Sequence, residues 1–312
     1  MRSLVTGAAG FLGSALVDRL LAEGHQVIGI DNLRTGAMAN LDNAFGYAEA
    51  HPGRFTLIGV DVQAPELADI VAGANPHTIF HLAAQADHGA AVSDPQFDAR
   101  TNVLGTINLC EASRLAGVRR IVYAGCGRRS HGSPHAVGKI AAELYLRAYA
   151  ERYGLAPICL ALGTVYGPHQ NRCGAGDIVL GLAAAVITGR PLALPADPDP
   201  ARDYIYVDDV IEAFLCAGRA PMTVTGTYPV GTGRTATVTE LHAMIAAGLP
   251  GGDDPYDAAI AGAGEPELGW RPVIGLSDGI GRTLRWLQDR TKSPAVGTDT
   301  PQQRSRTAEL VG

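Results

Sequence analysis

Six short apolar runs punctuate the first half of the chain, at residues 3–6, 26–30, 55–60, 78–82, 120–124 and 156–162. Each has the length of a strand. Between them lie stretches with apolar residues at helical spacing. The clearest is 11–22, where Leu12, Ala15, Leu16 and Leu20 share a face, followed by 97–116 and 134–152. Strands that alternate with helices predict parallel βαβ units with right-handed crossovers, and so an α/β fold built on a doubly wound parallel sheet. After Tyr166-Gly167-Pro168 the rhythm breaks. Pro191, Pro195, Pro198 and Pro200 mark loops, and helical spacing returns at 207–217, 238–247 and 276–288. The expected organisation is a Rossmann-type domain over 1–165, a smaller C-terminal substrate-binding region over 166–290 interleaved with the sheet, and a mobile polar tail over 291–312.

Composition narrows the class. Of 312 residues, 46% are hydrophobic and 18% charged, which is globular, and the net charge of -6 comes with no basic block. Nucleic acid and anionic membrane surfaces are therefore not expected partners. The apolar run 178–187 is shorter than the ~20 residues a membrane helix needs and reads as a buried helix. The five cysteines (Cys110, Cys126, Cys159, Cys173, Cys216) include no CxxC pair, so neither a disulfide framework nor a zinc site is expected. The first strand begins almost at Met1, with no room for a signal peptide, and the expected location is the cytoplasm.

Candidate chemistry begins at the loop Gly7-Ala8-Ala9-Gly10-Phe11-Leu12-Gly13, set between a strand and a helix. Glycines at this spacing permit a tight turn, close approach of backbone to a pyrophosphate, and helix-on-strand packing. The helix N-terminus then offers free N–H groups to phosphate. Asp31 ends the second strand, 18 residues after Gly13. A carboxylate there accepts from ribose hydroxyls and repels a 2′-phosphate, which favours NAD over NADP. The alternative is that Asp31 caps a turn, and Arg34 softens the exclusion of NADP.

With these residues in place, the chain resembles the extended short-chain dehydrogenases, and within them the UDP-glucose 4-epimerases and related NAD-dependent epimerases and dehydratases. The resemblance rests on Thr6-Gly7-Ala8-Ala9-Gly10-Phe11-Leu12-Gly13, Asp31-Asn32-Leu33, Asp61-Val62, His81-Leu82-Ala83-Ala84-Gln85-Ala86 and Asn102-Val103-Leu104-Gly105-Thr106. It continues through Val165-Tyr166-Gly167-Pro168, Arg202-Asp203-Tyr204, Val230-Gly231-Thr232-Gly233 and Leu268-Gly269-Trp270. It implies bound NAD, held by Gly7, Ala9, Gly10, Phe11, Leu12, Asp31 and Asn32, with Asp61 and Val62 near the adenine. Leu82, Ala83 and Ala84 would pass the cofactor, Asn102 would support the catalytic region, and Lys139 would hold the nicotinamide ribose. Gln85, Thr164, Tyr166, Arg202 and Arg128 would face a nucleotide-sugar, Arg202 reaching a phosphate. A homodimer through the helices at 97–116 and 134–152 is also implied. Asp208 and Asp209 open a helix and suit its dipole better than catalysis, and His81 at a strand end reads as a packed core residue.

The chain departs from the family at its chemical centre. The family's tyrosine, four residues before the lysine, is His135 here, ahead of Lys139. The two still share a helix face. Neutral imidazole accepts a proton, and a neighbouring lysine cation keeps it neutral. The residues fit a working base and a bystander equally. Cys126 stands where the family usually has serine or threonine. It is a poor hydrogen-bond donor, to be read as a polar helper or as inert filler. Gly127 and Arg128 replace the acidic pair of the 4,6-dehydratases. Eight residues separate Cys126 from His135, where the family has a longer excursion, and Arg128 in that stretch is either an anion contact or a solvated turn. Thr164 replaces a frequent asparagine near the diphosphate. The expected activity is an NAD-dependent nucleotide-sugar epimerase with His135 as base, Lys139 as orienter and Cys126 or Ser130 nearby. The alternatives are a dehydrogenase, reductase or lyase on a related sugar or nucleoside, or a silent NAD-binding relative.

Overall fold

The computed structural model describes residues 1–127, 132–170, 177–188, 201–246 and 263–292. Strands β1 (Arg2–Thr6), β2 (Gln26–Ile30), β3 (Phe55–Ile58), β4 (Thr78–His81), β5 (Arg120–Cys126) and β6 (Ala156–Leu162) are joined by β9 (Gly226–Val230) in one seven-stranded sheet. The order is β3-β2-β1-β4-β5-β6-β9, and every pairing is parallel. A short second sheet pairs β7 (Thr164–Tyr166) with β8 (Tyr204–Tyr206). Parallel strands are buried on both faces, and the β1 run Leu4, Val5 and Thr6 is fully so.

Helices cover both faces. On one side α1 (Phe11–Ala22) packs against α9 (Val207–Arg219), with Leu16, Leu20 and Phe214 in the core. On the other, α3 (Leu67–Ala74), α6 (Gly105–Ala116) and α7 (Pro134–Tyr153) bring in Val71, Leu109 and Leu146. Between β2 and α6 the chain also forms α2 (Asp42–Ala50) ahead of β3, then α4 (His88–Ser93) and α5 (Pro95–Ala99) after β4. Helices α8 (Asp177–Thr188), α10 (Val238–Ala246) and α11 (Leu276–Lys292) complete the described elements. None of the described helices is long and apolar enough to cross a membrane.

Several boundaries differ from the sequence pattern. The strand expected over 55–60 stops at Ile58, and that expected over 120–124 runs on to Cys126. The helix expected over 97–116 starts at Pro95, behind the cap Asp94, whose carboxylate accepts from Phe97 N. It is also broken by a π turn, Arg100–Leu104. β9 was not foreseen as a strand. It carries Gly226 and Pro229, which are poor sheet formers, and it is an edge strand, where proline is tolerated. The tail beyond residue 292, and with it the expected mobile segment, lies outside the described residues, as does Cys173.

Candidate active site

A cleft of about 420 Å³ opens beyond the carboxyl ends of β1, β2 and β4, where ligands bind in open parallel sheets. Gly7, Gly10, Phe11, Leu12, Asp31, Asn32, Asp61, Val62, Leu82, Ala83 and Ala84 line it, as does Gln85 from the expected substrate side. Two positions of the glycine loop, Gly7 and Gly13, cannot carry a side chain. Gly7 has φ +72, and a Cβ there would lie 2.7 Å from Ala83 N; one on Gly13 would lie 1.9 Å from Gly7 O. The backbone is thus bare where a pyrophosphate must approach, and the N-terminus of α1 follows at Phe11.

Asp31 does two things. It lines the cleft, and its carboxylate also accepts from Ala9 N at 2.9 Å and Leu33 N at 2.8 Å. It therefore caps a turn and fixes the glycine loop. Ala9 corrects an expectation. It is fully buried, its N–H is spent on Asp31, and it stands behind the loop rather than on the cleft wall. Asn32 Nδ2 donates to Asp61 Oδ2 at 2.6 Å, tying two cleft residues together. Arg34 lies over the Phe97 ring at 3.9 Å.

A chain of hydrogen bonds leads from this cleft to α7. Ala83 N donates to Thr6 Oγ1, and Thr6 Oγ1 lies 2.8 Å from His81 Nδ1. His81 Nε2 lies 2.9 Å from Thr106 Oγ1, which donates to the Asn102 carbonyl at 2.7 Å. Because the Thr106 proton is spent on Asn102, His81 Nε2 is the donor and Nδ1 the acceptor. His81 is 1% exposed, and burial pushes its pKa down to about 3. It is the packed core histidine expected from the sequence. Asn102, in the π turn, then grips Gln85. Its Oδ1 accepts from Gln85 N at 2.8 Å, and its Nδ2 donates to Gln85 O at 3.1 Å and to Asp98 Oδ1 at 3.0 Å.

The Gln85 carbonyl also meets His135 Nδ1 at 2.7 Å. A carbonyl only accepts, so Nδ1 carries the hydrogen and Nε2 is the ring's proton acceptor. Ser133 caps α7, its Oγ accepting from Ala136 N, with Pro134 at the first helical position. That fixes the turn holding His135. Burial first, then the charges of Lys139 and His88, lower the His135 pKa to about 4. The His88 ring stands edge-on at 4.9 Å. Lys139 is 6% exposed; its Nζ lies 4.2 Å from the Tyr123 ring centroid, and burial brings its pKa down to about 8.

His135, Lys139, Asn102 and Cys126 do not line the cleft itself; they stand next to it through Gln85 and through α7. Cys126 ends β5, half-buried, near Lys139. Tyr166 is a correction. It is fully buried, and its hydroxyl donates to Leu276 O at 3.2 Å beneath α11, so its side chain packs the core instead of facing a substrate. Thr164 opens β7, half-buried, its N–H donating to Asp203 O. Arg202 bridges to Ala236, while the neighbouring Asp203 carboxylate is taken up by Thr232 and Gly233. Arg128 lies outside the described residues. Asp209 is buried and accepts from Val273 N and Ile274 N, a tie between segments beyond the helix dipole. Sequence reading missed Asp98, His88 and the Gln85 backbone. Their signal is tertiary, although Asp98 lies one helical turn before Asn102.

The NAD dependent epimerase/dehydratase family model matches residues 3–231. A UDP-glucose 4-epimerase of Mycolicibacterium smegmatis is 37% identical, over 94% of this chain and 100% of that protein. The structure of a UDP-glucose 4-epimerase from Thermotoga maritima with UDP-glucose superposes with TM-score 0.81 at 29% identity, covering 94% of this chain and 100% of that one. That of Thermus thermophilus UDP-glucose 4-epimerase in complex with NAD gives 0.77 at 33%, covering 92% and 99%. Likeness that runs the length of both chains, over a glycine cradle shaped for a dinucleotide, decides the matter: this enzyme belongs to the NAD-dependent epimerase/dehydratase family of extended short-chain dehydrogenases, and NAD is its cofactor.

Proposed function

We propose that the enzyme is a nucleotide-sugar epimerase in which His135 takes the place of the family's tyrosine. The observation that carries this is the 2.7 Å contact between His135 Nδ1 and the Gln85 carbonyl. It sets the tautomer that leaves Nε2 free to accept a proton, on a helix that also holds Lys139 one turn on. The Nε2 lone pair takes the hydroxyl proton as the C–H bond breaks, and gives it back when the sugar is reduced from the other face. Bound NAD supplies the hydride acceptor and returns the hydride. Lys139 would hold the nicotinamide ribose, and Arg202 and Thr164 the diphosphate side. Similarity to UDP-glucose 4-epimerases supports a UDP-hexose as first substrate.

One observation favours a second reading, a relative that holds NAD without turnover. A ring whose pKa falls to about 4 is a weak base. The test is to incubate the NAD-loaded enzyme with UDP-glucose, UDP-galactose and UDP-N-acetylglucosamine and to follow the anomeric protons by NMR and NADH by absorbance. Interconversion without accumulating NADH is expected. Stoichiometric NADH would establish a dehydrogenase, and retained NAD with no conversion of any sugar would favour the silent relative.

The functional unit is proposed to be a homodimer. α6 and α7 pack side by side and leave Leu115, Leu144, Tyr145 and Tyr153 exposed, an apolar face for a second copy. Light scattering at the monomer mass would refute it.

A further inference from the structure

Asp98 is a carboxylate that the reaction scheme above does not use. It sits on α5, 1% exposed. Its Oδ1 accepts from Asn102 Nδ2 at 3.0 Å and stands 3.7 Å from His135 Nδ1. Its Oδ2 lies against α7 where that helix has glycine, since a Cβ on Gly138 would be 2.8 Å from this oxygen. The fold therefore brings a buried carboxylate against the helix turn that carries both His135 and Lys139. A buried charge of this kind is costly unless it is paired.

We propose that Asp98 is a positioning residue for His135, a counter-charge that stabilises the imidazolium formed when Nε2 accepts the substrate proton. This rests on the reading of His135 as the base. When the hydroxyl O–H bond breaks, its proton goes to Nε2 and its electron pair closes the C=O bond, as the hydride leaves with its own pair for NAD. The ring then carries one positive charge, with the Lys139 ammonium close by. Without an anion the two cations face each other in a dry site. Asp98 offsets the second charge and keeps its own proton count unchanged throughout. The Gln85 carbonyl fixes the ring's orientation in the neutral state, and the carboxylate rewards its charged state, so the two act at different moments.

Among the described residues, other groups also face His135. His88 on α4 and Lys139 on its own helix both disfavour its cation. Cys126 and Cys159, on β5 and β6, stand near Lys139. Among the groups that bear on the ring, Asp98 is the carboxylate within 4 Å. Burial raises the Asp98 pKa, and Asn102, Lys139 and His88 offset part of that rise.

The test uses the full NAD-loaded enzyme with histidine labelled in the ring. Asp98→Asn keeps an oxygen for Asn102, and Asp98→Ser removes the carboxylate without filling the space beside Gly138. His135→Phe assigns the ring signal. The Nδ1–H resonance of His135 is expected to shift in both Asp98 variants. With UDP-glucose as probe, kcat falls about tenfold or more, while KM and NAD affinity stay within about twofold. In the His135→Phe background, Asp98→Asn causes no further loss. An unchanged Nδ1–H resonance, or an equal loss in the His135→Phe background, overturns the proposal. If His135→Phe keeps full kcat, the base assignment fails by itself, and the resonance still decides whether Asp98 is coupled to the ring.

Discussion

His135, His81 and Lys139 are all buried, and in each the charged form is the one that burial penalises. For all three groups stability rises with pH, in two separate windows. Lys139, with its pKa lowered from 10.5 to about 8, is a costly cation below pH 8 in the fold and stays charged in the unfolded chain up to 10.5. Raising pH from about 8 to 10.5 therefore relieves the fold of this cost, while the ammonium proposed to hold the nicotinamide ribose is lost. Activity is expected to fall through about pH 8, with urea stability rising over the same interval as far as this group sets it. An activity plateau reaching pH 10 would show that the ammonium is not needed. The histidines act at the acid end. Their unfolded value is 6.5 and their folded values are about 4 for His135 and about 3 for His81. Between 6.5 and these values the unfolded state binds protons that the fold refuses, so stability falls as pH falls. The combined loss is on the order of several kcal/mol. Urea titrations at pH 7 and pH 4.5 check this, and His81→Gln is expected to flatten the slope.

At the scale of elements, α7 carries His135 and Lys139 on its first two turns, and its N-terminus is held by one side chain. Ser133 Oγ caps Ala136 N. Ser133→Ala is expected to cost about 1 kcal/mol of stability and to lower kcat more than NAD affinity, because fraying moves His135 off Gln85 while the glycine loop stays put. Equal losses in both would place the effect elsewhere. The π turn at Arg100–Leu104 belongs to the same arrangement: it places Asn102 to make three hydrogen bonds, two to Gln85 and one to Asp98. A single continuous helix was expected from the 97–116 pattern, since apolar spacing carries no sign of one inserted residue in a turn. The glycine loop and Asp31, by contrast, were legible. Their chemistry is local, and the required φ at Gly7 and the contact at Gly13 admit no other residue.

Across the whole molecule, the alternation of strands and helices announces the doubly wound parallel sheet, whose strand order is then set by tertiary packing. The later half was harder to read, because its ties are long-range. Asp209 is one. It accepts from Val273 N and Ile274 N, while its own carbonyl accepts from Trp270 Nε1. Tyr166 is another, buried beneath α11 with its hydroxyl on Leu276 O, and its burial explains why a motif position expected to meet substrate is spent on packing. Asp209→Ala strands the buried Ile274 N–H and releases the part-buried Val273 N–H, and is expected to cost about 1 to 3 kcal/mol, read as a lower urea midpoint, with NAD affinity little changed because the cleft is built by β1, β2 and β4. Loss of NAD binding in the folded variant would contradict this division. The central claim concerns one side chain on this scaffold, that imidazole replaces phenol as the proton acceptor. Its most direct test is the rate of sugar interconversion by NAD-loaded His135→Phe beside the parent enzyme. The account predicts a loss of about 10²-fold or more with NAD affinity unchanged; an equal rate in the two proteins would contradict it.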